Sequence, residues 1–306
     1  MKNEKFHTFF KGFEGDGLTC KSVESCSTNP LVCDPNAFCI PVNGESSCQC
    51  KKGFLGDGHT CEAVPVYDGN FLISSQGSSL MKIPINGQRP GFPIVVQSYM
   101  TAAGIDVDCF RGKLYWTDTT GSAILRGEYE GGKPEIFLGE TDGLQFPEGI
   151  AIDWLARNVY WADSGKRTIN VANLDTKGTK VLFDETLKNP RGVALDPSTS
   201  RLFWTDWERK HARIESAFLD GSDRKILVDN MVGMPNALAM DFKHRRLCWT
   251  DGGIKRTRTQ PEITPKIDCI SLDGTRRQTL VELEANAKPY GLTFSDQKIF
   301  WTDWSK

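Results

Sequence analysis

The sequence predicts an all-β chain: a six-bladed β-propeller, incomplete at its C-terminus, preceded by a small disulfide-rich module. Three observations predict it. A four-residue signature recurs as Tyr115-Trp116-Thr117-Asp118, Tyr160-Trp161-Ala162-Asp163, Phe203-Trp204-Thr205-Asp206, Cys248-Trp249-Thr250-Asp251 and Phe300-Trp301-Thr302-Asp303. Its tryptophans stand 45, 43, 45 and 52 residues apart, and a period in the forties with four strands per unit is that of propeller blades. Finally, six cysteines crowd into residues 26–61, a stretch too short to be held by a core of its own.

The composition fits. A chain of 306 residues, 39% hydrophobic, can hold one large core plus something small. A formal net charge of −2 leaves no chain-wide footprint for nucleic acid or an anionic membrane. No apolar run approaches the ~18 residues of a membrane span. The start, MKNEKFHTFF, lacks the apolar stretch of a signal peptide, yet ten cysteines point to an oxidising compartment.

In chain order, the nonapeptide Gly12–Cys20 (GFEGDGLTC) returns as Gly53–Cys61 (GFLGDGHTC), identical at seven of nine positions. Between them lie Cys26, Cys33, Cys39, Cys48 and Cys50. The six cysteines from Cys26 imply three disulfides, each contributing about 2–4 kcal/mol; spacing alone leaves several pairings open. A zinc site fits poorly, because two CxxC knuckles are lacking. With its close Cys48-Gln49-Cys50 pair and closing GFxGDGxxC, the pattern resembles an epidermal-growth-factor-like (EGF-like) module. The resemblance implies Cys26–Cys39, Cys33–Cys48 and Cys50–Cys61. Cys20 then closes a preceding module whose body is missing, so the N-terminus is expected to be truncated. Calcium-binding versions of the module carry an acidic run before the first cysteine. Here the run is Ser22-Val23-Glu24-Ser25, and Pro41 takes a ligand position; one carboxylate makes a poor oxygen cage, and no metal or other cofactor is expected. The expected domains are residues 1–20 (remnant), 21–62 (EGF-like module), 63–69 (linker) and 70–306 (propeller).

Blade 1 begins with a worn copy, Phe71-Leu72-Ile73-Ser74, followed by a strand from Leu80 to Ile85. Later blades each open with a turn and an alternating strand at Ala103-Gly104, Glu148-Gly149, Arg191-Gly192, Asn236-Ala237 and Tyr290-Gly291. In every signature the large apolar pair is read as filler between neighbouring blades, each buried aromatic contributing roughly 2–3 kcal/mol. The Asp is read as an acceptor of backbone hydrogen bonds, which a buried carboxylate needs. Blade 1 lacks an inner strand and blade 6 two outer ones. Since open edges are a liability, about 35–40 further residues are expected, by subtraction from the repeat period. Cys109, ending the inner strand of blade 2, is either a free buried thiol or the partner of a cysteine in that missing segment. Cys248 and Cys269 fall on adjacent strands of blade 5, where a disulfide would clamp the base of a long basic loop, Gly252 to Lys266.

With an EGF-like module ahead of six YWTD-type blades, the chain resembles the C-terminal part of the nidogen family. Two further stretches carry the likeness: His211 to Asn230 (HARIESAFLDGSDRKILVDN), and the series Pro147-Glu148-Gly149, Pro190-Arg191-Gly192, Pro235-Asn236-Ala237. It implies a secreted linker protein of basement membranes, of invertebrate type because no thyroglobulin-type domain precedes the propeller. It also implies a propeller that binds the laminin γ chain through an EGF-like laminin module; other matrix partners are possible in such a protein.

The middle residues of the Pro-x-Gly corners should ring one mouth of the propeller: Glu148, Arg191, Asn236 and Tyr290, with Ala103. Trp207, Lys210, His211 and Trp304 come from loops on the same face. An acid, a base, an amide and aromatics suit a peptide loop rich in Asp and Asn. Two other readings compete with this one. An endocytic receptor of the low-density-lipoprotein-receptor type shares the blade. A lactonase-like enzyme would hold calcium in the channel, but Arg191 would repel a cation there, no nucleophile–base pair is evident, and the four histidines are unpaired at metal spacing.

Overall fold

A computed structural model of the chain describes residues 13–15, 20–22, 33–42, 45–51, 54–63, 71–85, 90–208, 210–255, 261–295 and 298–305. These residues are all-β apart from two single-turn 3-10 helices. Three two-stranded ribbons come first: Phe13–Gly15 with Cys20–Ser22, Ala37–Val42 with Glu45–Cys50, and Phe54–Gly56 with Cys61–Ala63. Six antiparallel meander sheets follow, of three, four, four, four, four and two strands, covering 71–96, 102–138, 147–183, 190–228, 235–282 and 289–303. We number them blades 1 to 6. From blade 2 onward, the first strand of each sheet lies beside the first strand of the next, so these strands form the hub.

Cys33 is bonded to Cys48 of the second ribbon, and Cys50 of that ribbon to Cys61 of the third. Cys39 is also disulfide-bonded; Cys26, its expected partner, lies outside the described residues, as do most of residues 1–20 and of the expected linker at 63–69. The repeated GDG has a local cause. Asp57 Oδ1 accepts the amides of His59 and Thr60 at 2.9 and 2.8 Å, and Gly58 sits at φ +90° against the Cys48 backbone, where a Cβ would collide.

The blade signature works through strand alternation, since adjacent residues face opposite sides of a sheet. Tyr115 of blade 2 packs in one cluster with Trp161 of blade 3, Tyr160 with Trp204 of blade 4, and Phe203 with Trp249 of blade 5. Trp301 departs from this: it is 39% exposed, facing a blade whose corresponding position is Cys248 rather than an aromatic. Cys248 and Cys269 are directly opposite in register and bonded. The bond sits mid-strand, three residues short of Asp251, rather than at the base of the loop.

Each signature Asp staples the segment entering its own blade. Asp163 accepts the amides of Gln145, Phe146 and Lys166 at 2.8–3.0 Å, and Asp251 those of Gly233, Met234 and Gly253 at 2.8–2.9 Å. The signature Thr ties blade to blade. Thr205 Oγ1 accepts from Gly192 N at 2.8 Å and donates to Asn236 O of blade 5 at 3.0 Å. Thr117 and Thr250 donate likewise to Glu148 O and Tyr290 O, at 2.5 and 2.9 Å. The inner-strand glycines allow this approach: a Cβ on Gly104 would stand 2.6 Å from Glu148 O.

Cys109 corrects an expectation. The strand ends at Asp108, and Cys109 lies in the following turn, exposed rather than buried, with its thiol unpaired among the described residues. Partial desolvation, then the charges of Asp106 and Asp108, raise its thiol pKa, so it is no activated nucleophile.

Candidate binding site

Glu148, Arg191, Asn236 and Tyr290 each occupy the second position of a seven-residue inner strand, in blades 3, 4, 5 and 6. The common frame position turns all four side chains toward one end of the hub, and they form a connected polar chain. Tyr290 OH donates to Glu148 Oε2 at 2.9 Å although the two are 142 residues apart. Arg191 Nη2 lies 3.9 Å from Glu148 Oε1, and Arg191 Nη1 donates to Asn236 Oδ1 at 3.4 Å. Asn236 Nδ2 donates to Pro289 O at 2.8 Å. Burial first, then the Glu148 carboxylate beside it, push the Tyr290 phenol well above its ordinary pKa. The phenol therefore stays a neutral donor.

Aromatics flank this chain. The Arg191 guanidinium rests 5.2 Å from the Trp207 ring, and Trp304 stacks on Tyr290 with centroids 4.6 Å apart and planes 21° from parallel. Trp304 is 68% exposed, leaving a large apolar surface at the rim. His211 stands apart: it is exposed, and its side chain makes no hydrogen bond or ion pair with the described residues. Ser164 was missed by the sequence reading; its Oγ lies 3.2 Å from Glu148 Oε1. It follows the signature Asp, the position that supplies Trp207 and Trp304 in blades 4 and 6, so aligning the repeats would have found it.

The carboxylate at this mouth is thus committed to a guanidinium, a phenol and a hydroxyl. Such a set fixes side chains for recognition and leaves no oxygen cage of the kind a calcium ion needs. No group of three or more metal-ligating side chains is found among the described residues.

Comparison with known proteins follows the same division of the chain. The family model described as EGF domain matches residues 26–61. The one described as Low-density lipoprotein receptor repeat class B matches 157–197 and 200–242, each running from the second strand of one blade to the first strand of the next. Nidogen of Drosophila melanogaster is 38% identical over 290 residues, 94% of this chain and 20% of that protein. A solved chain described as "Crystal structure of Nidogen/Laminin Complex" superposes with a TM-score of 0.68 at 31% identity, over 77% of this chain and 86% of that one. The chain belongs to the nidogen family. It spans about a fifth of the length of its Drosophila nidogen relative. Low-density lipoprotein receptor-related protein 5 of Mus musculus is 34% identical over 152 residues, 47% of this chain and 9% of that protein. The receptor therefore shares the blade repeat, whereas the likeness to nidogen runs through module and blades together. The disulfides belong, like the EGF module, to an extracellular protein.

Proposed function

We propose that this chain is the laminin-binding part of a secreted, nidogen-type linker of basement membranes, a binding protein and not an enzyme. Its mouth of Glu148, Arg191, Asn236 and Tyr290, rimmed by Trp207 and Trp304, takes an acceptor-rich loop of an EGF-like module of a laminin γ chain. The observation that carries the reading is the Tyr290–Glu148–Arg191–Asn236 chain, which joins four blades at one end of the hub. Because these groups hold one another, they are ordered before a partner arrives, which lowers the cost of binding. The resemblance to a propeller solved in a nidogen/laminin complex supports the choice of partner.

Titration of the full chain with a laminin γ-chain EGF-like module tests it. Arg191→Ala and Glu148→Ala should each lose at least ~2 kcal/mol of affinity while the far-UV spectrum and unfolding midpoint show a folded ring. Binding curves for both variants that overlay the parent's would refute the site.

A further inference from the structure

The opposite end of the blades carries a second construction. There the inner strands end in Asp108, Asp153, Asp196 and Asp241, all buried. Each caps the turn that follows it: Asp108 accepts Phe110 N, Asp153 accepts Leu155 N and Ala156 N, Asp196 accepts Ser198 N, and Asp241 accepts His244 N. Four residues after each Asp stands one with left-handed backbone: Gly112, Arg157, Ser200 and Arg245, at φ 63°, 59°, 52° and 53°. In two blades this residue reaches back to the Asp of the blade before. Arg157 Nη1 lies 2.7 Å from Asp108 Oδ2, and Arg245 Nη2 lies 3.6 Å from Asp196 Oδ2.

Between blades 3 and 4 the arginine position is Ser200. The Asp it would serve, Asp153, is 3% exposed, and its Oδ2 meets no cation or donor among the described residues. In the place of the guanidinium is a cavity of about 430 Å³ whose lining includes Asp153, Leu155, Pro197, Ser200, Leu219 and Asp220. Nearby cations are engaged elsewhere: Arg157 turns to Asp108 and Asp175, and Arg201 to Asp223. Lys180 sits close enough to Asp220 to add to the lowering of that carboxyl's pKa, which hydrogen bonds from Ser222 dominate.

We infer that this cavity is a receptor for an arginine side chain presented by a partner polypeptide, in the pose that Arg157 and Arg245 take internally at the neighbouring interfaces. Asp153 Oδ2 accepts the guanidinium, Asp220 lies at the wall as a second negative charge, and Leu155, Pro197 and Leu219 cover the methylene stem. The site is independent of the laminin reading, because it lies at the other end of the blades from Glu148.

The test is calorimetric titration of the full chain with N-acetyl-arginine methylamide, using N-acetyl-citrulline methylamide as the neutral isostere. The arginine amide should bind saturably and at least about tenfold more tightly than the citrulline amide, since a charge-assisted pair is lost. Ser200→Arg, which supplies an internal guanidinium at a φ that Arg157 and Arg245 already adopt, should abolish that binding. Asp153→Asn should weaken it by at least about tenfold. Glu148→Gln should leave it unchanged. Equal affinity for the two amides, or parental affinity in a folded Ser200→Arg chain, overturns the inference. The Ser200→Arg arm decides the matter even where Asp153→Asn fails to fold.

Discussion

Blades 2 and 3 meet through a hydroxyl at one end and a guanidinium at the other: Thr117 donates to Glu148 O, and Arg157 pairs with Asp108. Blades 4 and 5 repeat both devices with Thr205 and Arg245. Blades 3 and 4 have neither, because Ala162 stands where the threonine would be and Ser200 where the arginine would be. What remains there is the Arg191–Glu148 pair at the mouth, the Tyr160 OH that donates to Leu219 O at 3.2 Å, and the aromatic seam of Tyr160 and Trp204, the latter stacked on Phe183 at 4.9 Å. Two polar bridges can therefore be absent from a propeller interface while the apolar filler keeps it closed. The difference also leaves one buried carboxylate available to an outside partner.

The strongest way to break this comparison is to remove the filler. Trp204 is fully buried at the seam, and Trp204→Ala should cost about 3–5 kcal/mol in urea unfolding. A loss below about 1 kcal/mol would mean that the seam between blades 3 and 4 is held by something other than aromatic packing.

A second, smaller effect marks the bridged side. Asp106 spans blades 2 and 3 by accepting Ile152 N at 2.7 Å, and its other oxygen accepts Val107 N at 2.7 Å. Desolvation outweighs those hydrogen bonds and raises its pKa from 3.8 to about 6. A carboxyl whose pKa is raised on folding favours the folded state most below its unfolded value. That contribution is lost as pH climbs from about 4 through about 6. It amounts to at most about 2–3 kcal/mol, because part of the side chain keeps contact with solvent. Asp106→Asn should flatten the stability–pH curve over that window relative to the parent. Parallel curves for the two proteins would show that Asp106 does not titrate there.

Much of this was legible in the sequence, for a physical reason. Two adjacent apolar residues on a strand must face opposite sides, so a repeated Tyr-Trp or Phe-Trp pair already specifies sheets stacked face to face. Glu148, Arg191, Asn236 and Tyr290 were legible as a set because one frame position in every repeat points the same way. His211 was not, since it lies in a loop whose course the repeat does not dictate, and the structure leaves it out of the cluster. The exposure of Cys109 escaped for the same reason, one residue beyond the periodic strand. Ala162 was visible as a departure from the Thr of the other signatures, whereas Ser200 stands outside the signature, at a position held by Gly112, Arg157 and Arg245 in other blades. Their meaning depended on knowing what the hydroxyl and the guanidinium touch in the other blades, and that contact lies between repeats, where spacing carries no information.

Restoring one missing bridge gives the finest test. In Ala162→Thr the new Oγ1 would sit as Thr205 Oγ1 does, accepting the amide of Gly149 and donating to the Arg191 carbonyl. The added atoms enter a site that is fully buried, so overpacking opposes the gain. Thr117, Thr205 and Thr250 are nevertheless fully buried at the matching positions, so the frame accommodates them. A net stabilisation of about 1 kcal/mol is expected, the ordinary yield of a buried neutral hydrogen bond, read as a higher urea midpoint with an unchanged slope. Ala162→Val separates the causes, because it adds the same volume without the hydroxyl. If valine stabilises as much as threonine, the seam between blades 3 and 4 lacks packing rather than a bridge, and the contrast with its neighbours is one of volume alone.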